Sequence, residues 1–169
     1  TSGTSGMSFK FLITKRELAV RRAYELLANE LLGLIHGTSY LQIWGGHENG
    51  NLIRQIKKFI YDKVSGRELL LVKGTDAKSL EKCIKYIHVH TDGVLLTYPS
   101  ILYGLCQHCN LYSDLQTYKS IILTGEAVDY SQFQKYNLNG LLKNRYGSRE
   151  FGVIAIADEG AMHYFQSRF

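Results

Sequence analysis

Short apolar runs alternate with segments of helical periodicity along most of this 169-residue chain. The runs typical of strands lie at 40–44, 68–72, 93–97, 120–124, 141–145 and 153–157, with further short strands at 9–13 and 162–165. The predicted helices lie at 14–32, 51–64, 79–87, 99–111 and 130–136. Parallel strands need crossover connections of this length, so the alternation predicts an α/β fold: a mainly parallel sheet with helices on both faces.

Local signals support several of these boundaries. Thr14 followed three residues later by Glu17 forms a capping box that predicts a helix start, and Gly33 predicts the end of the same helix. Pro99, the only proline in the chain, suits the first turn of a helix. The helix at 51–64 carries apolar residues at helical spacing, namely Ile53, Ile56, Ile60 and Val64.

Four of the predicted strands are followed directly by glycine, tyrosine or acidic residues. These segments are Gly45–Gly46, Thr97–Tyr98, Gly125–Glu126 and Tyr146–Gly147. Ligands of open α/β sheets bind outside the carboxyl ends of the strands. The pattern therefore predicts that the four segments share one ligand-binding edge.

Composition excludes some classes of protein and favours others. An apolar content of 45% and a charged content of 21% are ordinary for a globular domain, and no apolar run reaches the roughly 18–20 residues that span a bilayer. The N-terminus lacks the features of a signal peptide, and three cysteines are an odd number for a disulfide framework. We therefore expect a cytoplasmic protein without membrane insertion. The net charge of +5 suits an anionic ligand, but no basic stripe with interleaved aromatics predicts nucleic-acid binding.

The first six residues, Thr1–Gly6, contain only threonine, serine and glycine. Glycines let consecutive backbone N–H groups turn toward one anion, and the hydroxyls add donors. The segment is not a P-loop, because no lysine follows Gly6. On composition alone it is equally consistent with a cloning remnant ahead of Met7.

The order of motifs resembles the adenylate-forming superfamily. The Thr-Ser-Gly-Thr-Ser-Gly loop at Thr1–Gly6 is similar to that superfamily's phosphate loop, and Tyr146–Glu150 is similar to its Tyr-Gly-x-Thr/Ser-Glu motif. Gly125–Glu126 resembles a segment near the adenine. Segments 97–103, 121–126 and 160–164 resemble the phenylacetate–coenzyme A ligase branch of the superfamily. Within that branch they are most similar to the capsule-biosynthesis proteins of coenzyme synthetase type. The resemblance covers essentially the whole chain, and it implies part of the large N-terminal domain of such an enzyme.

The resemblance implies a role for each matching residue. The β- and γ-phosphates of ATP would be held by Thr1, Ser2, Gly3, Thr4, Ser5 and Gly6, with Thr4 acting in catalysis. The adenine side would be lined by Gly125 and Glu126, and the second motif would contribute Tyr146, Gly147, Ser148 and Arg149 to the nucleotide site. Tyr146 would pack on the adenine ring. Glu150 would act in catalysis as a ligand of Mg²⁺, a hard cation that takes carboxylate and phosphate oxygens.

Two positions depart from the family pattern. Met7–Ser8 stands where the family has a small or basic residue followed by proline, and Lys10 is a candidate for the missing positive charge. Arg149 stands where the family has threonine or serine, so a cation replaces the hydroxyl contact. Its guanidinium either contacts the α-phosphate or points to solvent.

Other segments have structural interpretations that compete with functional ones. Cys106–Cys109 has two cysteines around a histidine, but zinc sites need four ligands and Cys83 is the only other cysteine, so buried helix thiols are expected. His47–Glu48 is either a surface loop or a border of an acyl pocket. The candidate pocket walls for a substrate with an apolar tail are Trp44, Tyr98 and Tyr103, with core packing the alternative for Tyr103.

The resemblance thus implies an ATP-dependent ligase that forms an acyl-adenylate from a small carboxylic acid and passes the acyl group to coenzyme A or another acceptor. Aryl, fatty and amino acids all remain open as the acid. We interpret residues 1–169 as a single α/β domain fragment from the phosphate loop to the second motif, without the small C-terminal domain, and therefore inactive alone. The alternatives are a non-catalytic or degenerate nucleotide-binding module and an unrelated domain with an N-terminal cloning remnant.

Overall fold

The computed structural model describes residues 11–35, 37–46, 52–108, 112–138, 140–148, 150–158 and 161–164. The helices are α1 (Lys15–Leu31), α2 (Leu52–Ser65), α3 (Ala77–Val89), α4 (Pro99–His108) and α5 (Tyr112–Leu115), with a 3-10 helix at Tyr130–Tyr136. The strands are β1 (Tyr40–Gly45), β2 (Arg67–Val72), β3 (Val94–Thr97), β4 (Ser120–Thr124), β5 (Leu142–Ser148), β6 (Gly152–Asp158) and β7 (Ala161–Tyr164).

The described strands form one sheet in the order β2-β1-β3-β4-β5-β6-β7. The first five strands of that order are parallel, and β6 and β7 are antiparallel additions at the far side. The predicted α/β fold with a mainly parallel sheet is confirmed. The step from β1 to β2 runs in the opposite direction to the later steps, which is the reversal that creates a ligand crevice in open sheets.

Alternate side chains of the strands supply two apolar layers. One layer joins Leu41, Leu95 and Ile121 to buried residues of α3, α4 and α5 and to the 3-10 helix. The other joins Leu96 and Ile122 to residues at the end of α1. The central strands β3 and β4 are fully buried, because helices lie on both faces of the sheet as predicted.

Helix α1 runs antiparallel to the parallel strands. Its start is fixed by the predicted capping box: the Thr14 backbone N–H donates to the Glu17 carboxylate at 2.7 Å, and the Glu17 N–H donates to the Thr14 hydroxyl at 3.2 Å. Gly33, just after the helix, lies beside Ser120 at the amino end of β4, and Arg21, near its start, lies beside Gly152 at the opposite edge. The N-terminal end of α1 therefore lies at the carboxyl edge of the sheet.

Helix α2 lies on the same face as α1. Arg67 projects from the side of β2 opposite to Leu70 and Val72, and it forms an ion pair with Asp62 of α2 while donating to the Gln42 side chain at 3.4 Å. The placement follows from handedness, because the step to β2 reverses direction and a right-handed crossover then carries its helix to the other face.

The apolar stripe of α2, here the α2 stripe, consists of Ile53, Ile56, Ile60 and Val64 and is 51–73% exposed. Among the α2 side chains that the structure describes, the half-buried ones are instead Lys58, Asp62 and Ser65, which lie on the opposite side of the helix. An amphipathic helix ordinarily packs its apolar side on the sheet. Here the apolar side points away from it.

Two boundary predictions need correction, and a third is only partly tested. Residues 11–13 of the predicted strand 9–13 are not in a strand, and residues 9 and 10 lie outside the described residues. The helix predicted at 99–111 is confirmed as far as His108, and residues 109–111 lie outside the described residues. The Tyr146–Glu150 segment was predicted as a turn, but its first three residues belong to β5, because β6 continues to pair with them. Among the described residues, no helix is long and apolar enough to cross a membrane.

Candidate functional site

The carboxyl ends of the parallel strands lie at one edge of the sheet. Thr97 pairs with Leu123 across β3 and β4, and Thr124 pairs with Arg145 across β4 and β5. Gly125 directly follows Thr124 and Tyr146 directly follows Arg145, so both residues lie at this edge of the sheet, at the position just after the paired residues of β4 and β5. The prediction that the four strand-end segments share an edge is confirmed by this register.

Tyr98 occupies the middle of this edge. Its ring lies 4.5 Å from the Trp44 ring, centroid to centroid, at an interplanar angle of 37°. A Cβ built on Gly45 would lie 3.6 Å from ring atom Cε2, and one built on Gly125 would lie 2.6 Å from Cε1. The ring is thus held between the ends of β1 and β4, and burial raises the pKa of the Tyr98 hydroxyl.

Gly125 is required at its position for two reasons. Its φ is +81°, a left-handed conformation in which side chains other than glycine are strained. Tyr98 also fills the space that a side chain would need. The turn after β4 therefore presents bare backbone to the carboxyl edge.

Glu126 ties the end of β4 to the start of α4. One carboxylate oxygen accepts from the Ser100 backbone N–H at 2.9 Å, and the other accepts from the Ser100 hydroxyl at 2.9 Å. A carboxylate at the first turn of a helix satisfies an otherwise unpaired N–H and interacts favourably with the helix dipole. Sequence reasoning missed this contact, since the two residues are 26 positions apart. Whether Glu126 also lines the adenine side stays a prediction.

The β5–β6 hairpin carries the second motif. A register shift lies between Tyr146 and Gly147, and a Cβ on Gly147 would lie only 2.3 Å from the Gly152 carbonyl oxygen. Glycine is therefore needed at position 147 for the two strands to approach. Tyr146 is 58% exposed at this edge, so its ring is accessible to a ligand.

The remaining residues of the motif lie at the tip of the hairpin. The Ser148 hydroxyl accepts from the Phe151 backbone N–H at 3.1 Å and so closes the turn. Glu150 is half-buried. Arg149 and the whole of Thr1–Gly6 lie outside the described residues, so the roles expected of them stay predictions.

A cleft of about 410 Å³ lies on the α3–α4 side of the edge. Its lining is mostly polar and comes from α4, the turn after β4 and the 3-10 helix; it consists of Thr75, Pro99, Ser100, Tyr103, Gly104, Gln107, Glu126, Ala127, Asp129 and Gln132. Tyr103, a predicted pocket wall, lines this cleft and also packs edge-on against the Phe133 ring at 6.3 Å. The other two predicted walls, Trp44 and Tyr98, contact each other at the strand ends instead.

The cysteines that the structure describes are buried thiols. Burial raises the pKa of Cys83 to about 11 and that of Cys106 to about 12. Both thiols are free. Within the described ranges, no group of three or more His, Cys, Asp or Glu side chains is close enough to hold a metal ion, and Cys109 and His47–Glu48 lie outside those ranges.

Solved structures with a similar fold are found, whereas comparisons by sequence find no match. No protein-family model matches the chain, and no curated protein sequence matches it. Among solved structures, CmiS6 is similar with a TM-score of 0.53 and 18% identity over 83% of this chain. MatB from Rhodopseudomonas palustris, solved in its apo form, is similar with a TM-score of 0.54 and 13% identity over 82% of this chain.

The chain therefore has the fold of part of CmiS6 and of MatB. It spans 33% of the CmiS6 chain and 27% of the MatB chain. At these identities the likeness shows the fold alone.

Proposed function

We propose that the polypeptide containing these residues activates a small carboxylic acid with ATP and Mg²⁺, as a relative of the phenylacetate–coenzyme A ligases. The acid would become an acyl-adenylate, with transfer to coenzyme A or another acceptor as the second step. The observation that carries the proposal is that Gly125 and Tyr146 each directly follow a paired residue of neighbouring strands, at the carboxyl edge of a sheet whose fold matches adenylate-forming enzymes.

The residues at this edge suit a nucleotide. Tyr146 has an exposed ring that can stack on a purine, and the neighbouring Gly125 offers backbone without a side chain. The N-terminal end of α1 lies at the same edge, so its positive dipole end favours phosphate groups there. Thr1–Gly6 would bind the β- and γ-phosphates there. The chain that follows this segment contacts α1, because the Phe11 ring, five residues after Gly6, lies against Arg21.

The proposed reaction has two steps, each with its own leaving group. A carboxylate oxygen of the acid attacks the α-phosphorus, the bond to the bridging oxygen breaks, and pyrophosphate leaves. The acceptor thiolate then attacks the acyl carbon and AMP leaves. Mg²⁺, with Glu150 as its protein ligand, would neutralise phosphate charge. Trp44 and Tyr98 would form one wall of the acyl-group pocket, since their paired rings provide an apolar surface beside the proposed nucleotide.

An ATP titration tests the nucleotide site. Removing a stacked aromatic ring costs about 1–3 kcal/mol, so Tyr146→Ala should weaken Mg·ATP binding roughly 5- to 150-fold in isothermal titration calorimetry. Tyr61→Ala is the matched control, because Tyr61 is similarly exposed (61% against 58%) but lies on α2. Equal affinities of both variants and the parent chain would refute the stacking role.

Pyrophosphate exchange on the natural full-length polypeptide tests the chemistry. Acid-dependent incorporation of labelled pyrophosphate into ATP is the expected result. ATP binding without exchange for aryl, fatty or amino acids would instead support the non-catalytic nucleotide-binding module. A coding sequence that begins at Met7 would remove the phosphate loop and favour an unrelated domain.

A further inference from the structure

Arg145 places a positive charge between the sheet and α1, and the proposed reaction does not use that charge. Its Nη1 atom donates to the side-chain oxygen of Asn29 in α1 at 3.1 Å. The residue is half-buried, and burial lowers the pKa of its guanidinium, an effect that the charge of Glu25 opposes. Burying a charged group costs stability, and an apolar side chain of similar volume often packs at least as well. Packing alone therefore does not account for an arginine at this position.

The backbone of Arg145 is held as firmly as its side chain. Its carbonyl accepts from the Thr124 hydroxyl at 2.8 Å, and Thr124 is also its register partner across β4 and β5. Tyr146, the residue proposed to stack on the adenine ring, comes next in the strand. The chain is thus fixed from two directions directly before Tyr146, by β4 through the backbone and by α1 through the guanidinium.

The hydrogen bond to Asn29 joins two elements that the nucleotide would contact at the same time. Strand β5 carries Tyr146, whose exposed ring faces the proposed base. Helix α1 has its N-terminal end at the carboxyl edge, where its dipole favours phosphate groups. A ligand that contacts both elements binds best when their relative position is fixed in advance, because binding then costs less ordering.

We propose that Arg145 is a positioning residue for the nucleotide: through Asn29 it fixes α1 relative to Tyr146, so that the base and the phosphate groups are bound together. The inference rests on the proposed function and deepens it, since it identifies a residue that acts on nucleotide binding without touching the nucleotide. Because packing does not need the guanidinium, its loss should lower the affinity for nucleotide rather than the stability of the protein.

Arg145→Met tests this inference in the natural full-length polypeptide, because methionine keeps a long unbranched side chain without the charge. In isothermal titration calorimetry well below the Tm, this variant should bind Mg·ATP roughly 2- to 30-fold more weakly than the parent. Its Tm should equal or exceed that of the parent, since an apolar side chain replaces a desolvated charge.

Arg67→Met is the matched control. Arg67 is also half-buried on the α1 and α2 side of the sheet, but it pairs with Asp62 at the amino end of β2, away from the carboxyl edge. Its replacement leaves the Asp62 carboxylate without that partner, so the Tm should fall by about 1–4 °C while the affinity for Mg·ATP stays at the parental value. A merely structural role for Arg145 would give the pattern of this control instead.

A double-mutant cycle tests whether Arg145 acts through Asn29. Asn29→Ala should reproduce the loss of affinity seen in Arg145→Met, and the variant with both changes should bind no more weakly than Arg145→Met alone. Losses that add would show that the two side chains affect binding independently, which would overturn the inference.

The calorimetry also separates this inference from the function on which it rests. Parental affinity in Arg145→Met would overturn the inference and leave the proposed function standing. A parent polypeptide without affinity for Mg·ATP would refute the proposed function and the inference with it.

Discussion

Substitution of Gly125 by alanine is the sharpest test of how the carboxyl edge is built. The new Cβ would lie 2.6 Å from Cε1 and 3.0 Å from Cδ1 of Tyr98, well inside van der Waals contact. The ring cannot retreat freely, because Trp44 lies 4.5 Å away on the β1 side and Gly45 is in contact with its other edge. The substitution must therefore displace either the ring or the turn.

The expected cost has two parts. A φ of +81° costs alanine about 1–2 kcal/mol relative to glycine. Forcing a methyl group against a confined ring costs about 1–3 kcal/mol more. The sum, about 2–5 kcal/mol, is a large fraction of the 5–15 kcal/mol that stabilises a typical domain. At about 2–4 °C per kcal/mol, the Tm should fall by roughly 4–20 °C.

Gly37→Ala separates the two parts. Gly37 has a similar φ of +91°, but nothing lies within 4 Å of a Cβ built there, so this variant carries only the backbone strain. Urea unfolding of both variants gives the contact part as a difference. In a Tyr98→Ala background, Gly125→Ala should cost no more than Gly37→Ala does. If Gly125→Ala and Gly37→Ala cost the same with Tyr98 intact, the ring is not confined as described and the account of this edge is wrong.

Four further outcomes follow from the structure. Glu126→Ala should lower the free energy of unfolding, measured in urea, by about 0.5–2 kcal/mol, because it removes the carboxylate that caps Ser100. Glu126→Gln should lower it by less, because one acceptor oxygen remains. Equal losses in the two variants would refute the capping role. Cys83 and Cys106 should resist alkylation by iodoacetamide at pH 8 in the native chain and react after unfolding, since burial disfavours their thiolates. The pKa values of these thiols are higher in the folded than in the unfolded chain. Their contribution to stability is therefore complete below pH 9 and is lost as the pH rises from 9 toward 11–12. Unfolding of the wild-type chain should accordingly need less urea at pH 10 than at pH 8. Gly147→Ala should weaken the β5–β6 hairpin, with faster amide exchange there, because its Cβ would meet the Gly152 carbonyl.

Local signals predicted those parts of the fold that depend on local interactions. The capping box at Thr14 and Glu17 fixed the start of α1 correctly, because both partners lie within one helical turn. The apolar runs of β3 and β4 were located within a residue of their observed bounds, since strands buried on both faces need continuous apolar sequence. The shared carboxyl edge followed from strand–helix alternation alone.

The structural features that the sequence did not predict depend on contacts between segments that are distant in the chain. Tyr146–Ser148 reads as a turn because glycine and serine follow tyrosine, yet β6 offers hydrogen-bonding partners that keep the segment extended. Glu126 gave no local sign that it caps α4, because its partner Ser100 comes from another strand–helix junction. The strand order is likewise a property of tertiary contacts rather than of any one segment.

The α2 stripe shows where periodicity stops being informative. Ile53, Ile56, Ile60 and Val64 establish that one side of the helix is apolar, but periodicity does not say which neighbour that side contacts. Here the ion pair between Asp62 and Arg67 holds the polar side toward β2. The helix therefore satisfies its polar side on its own sheet and leaves its apolar side exposed.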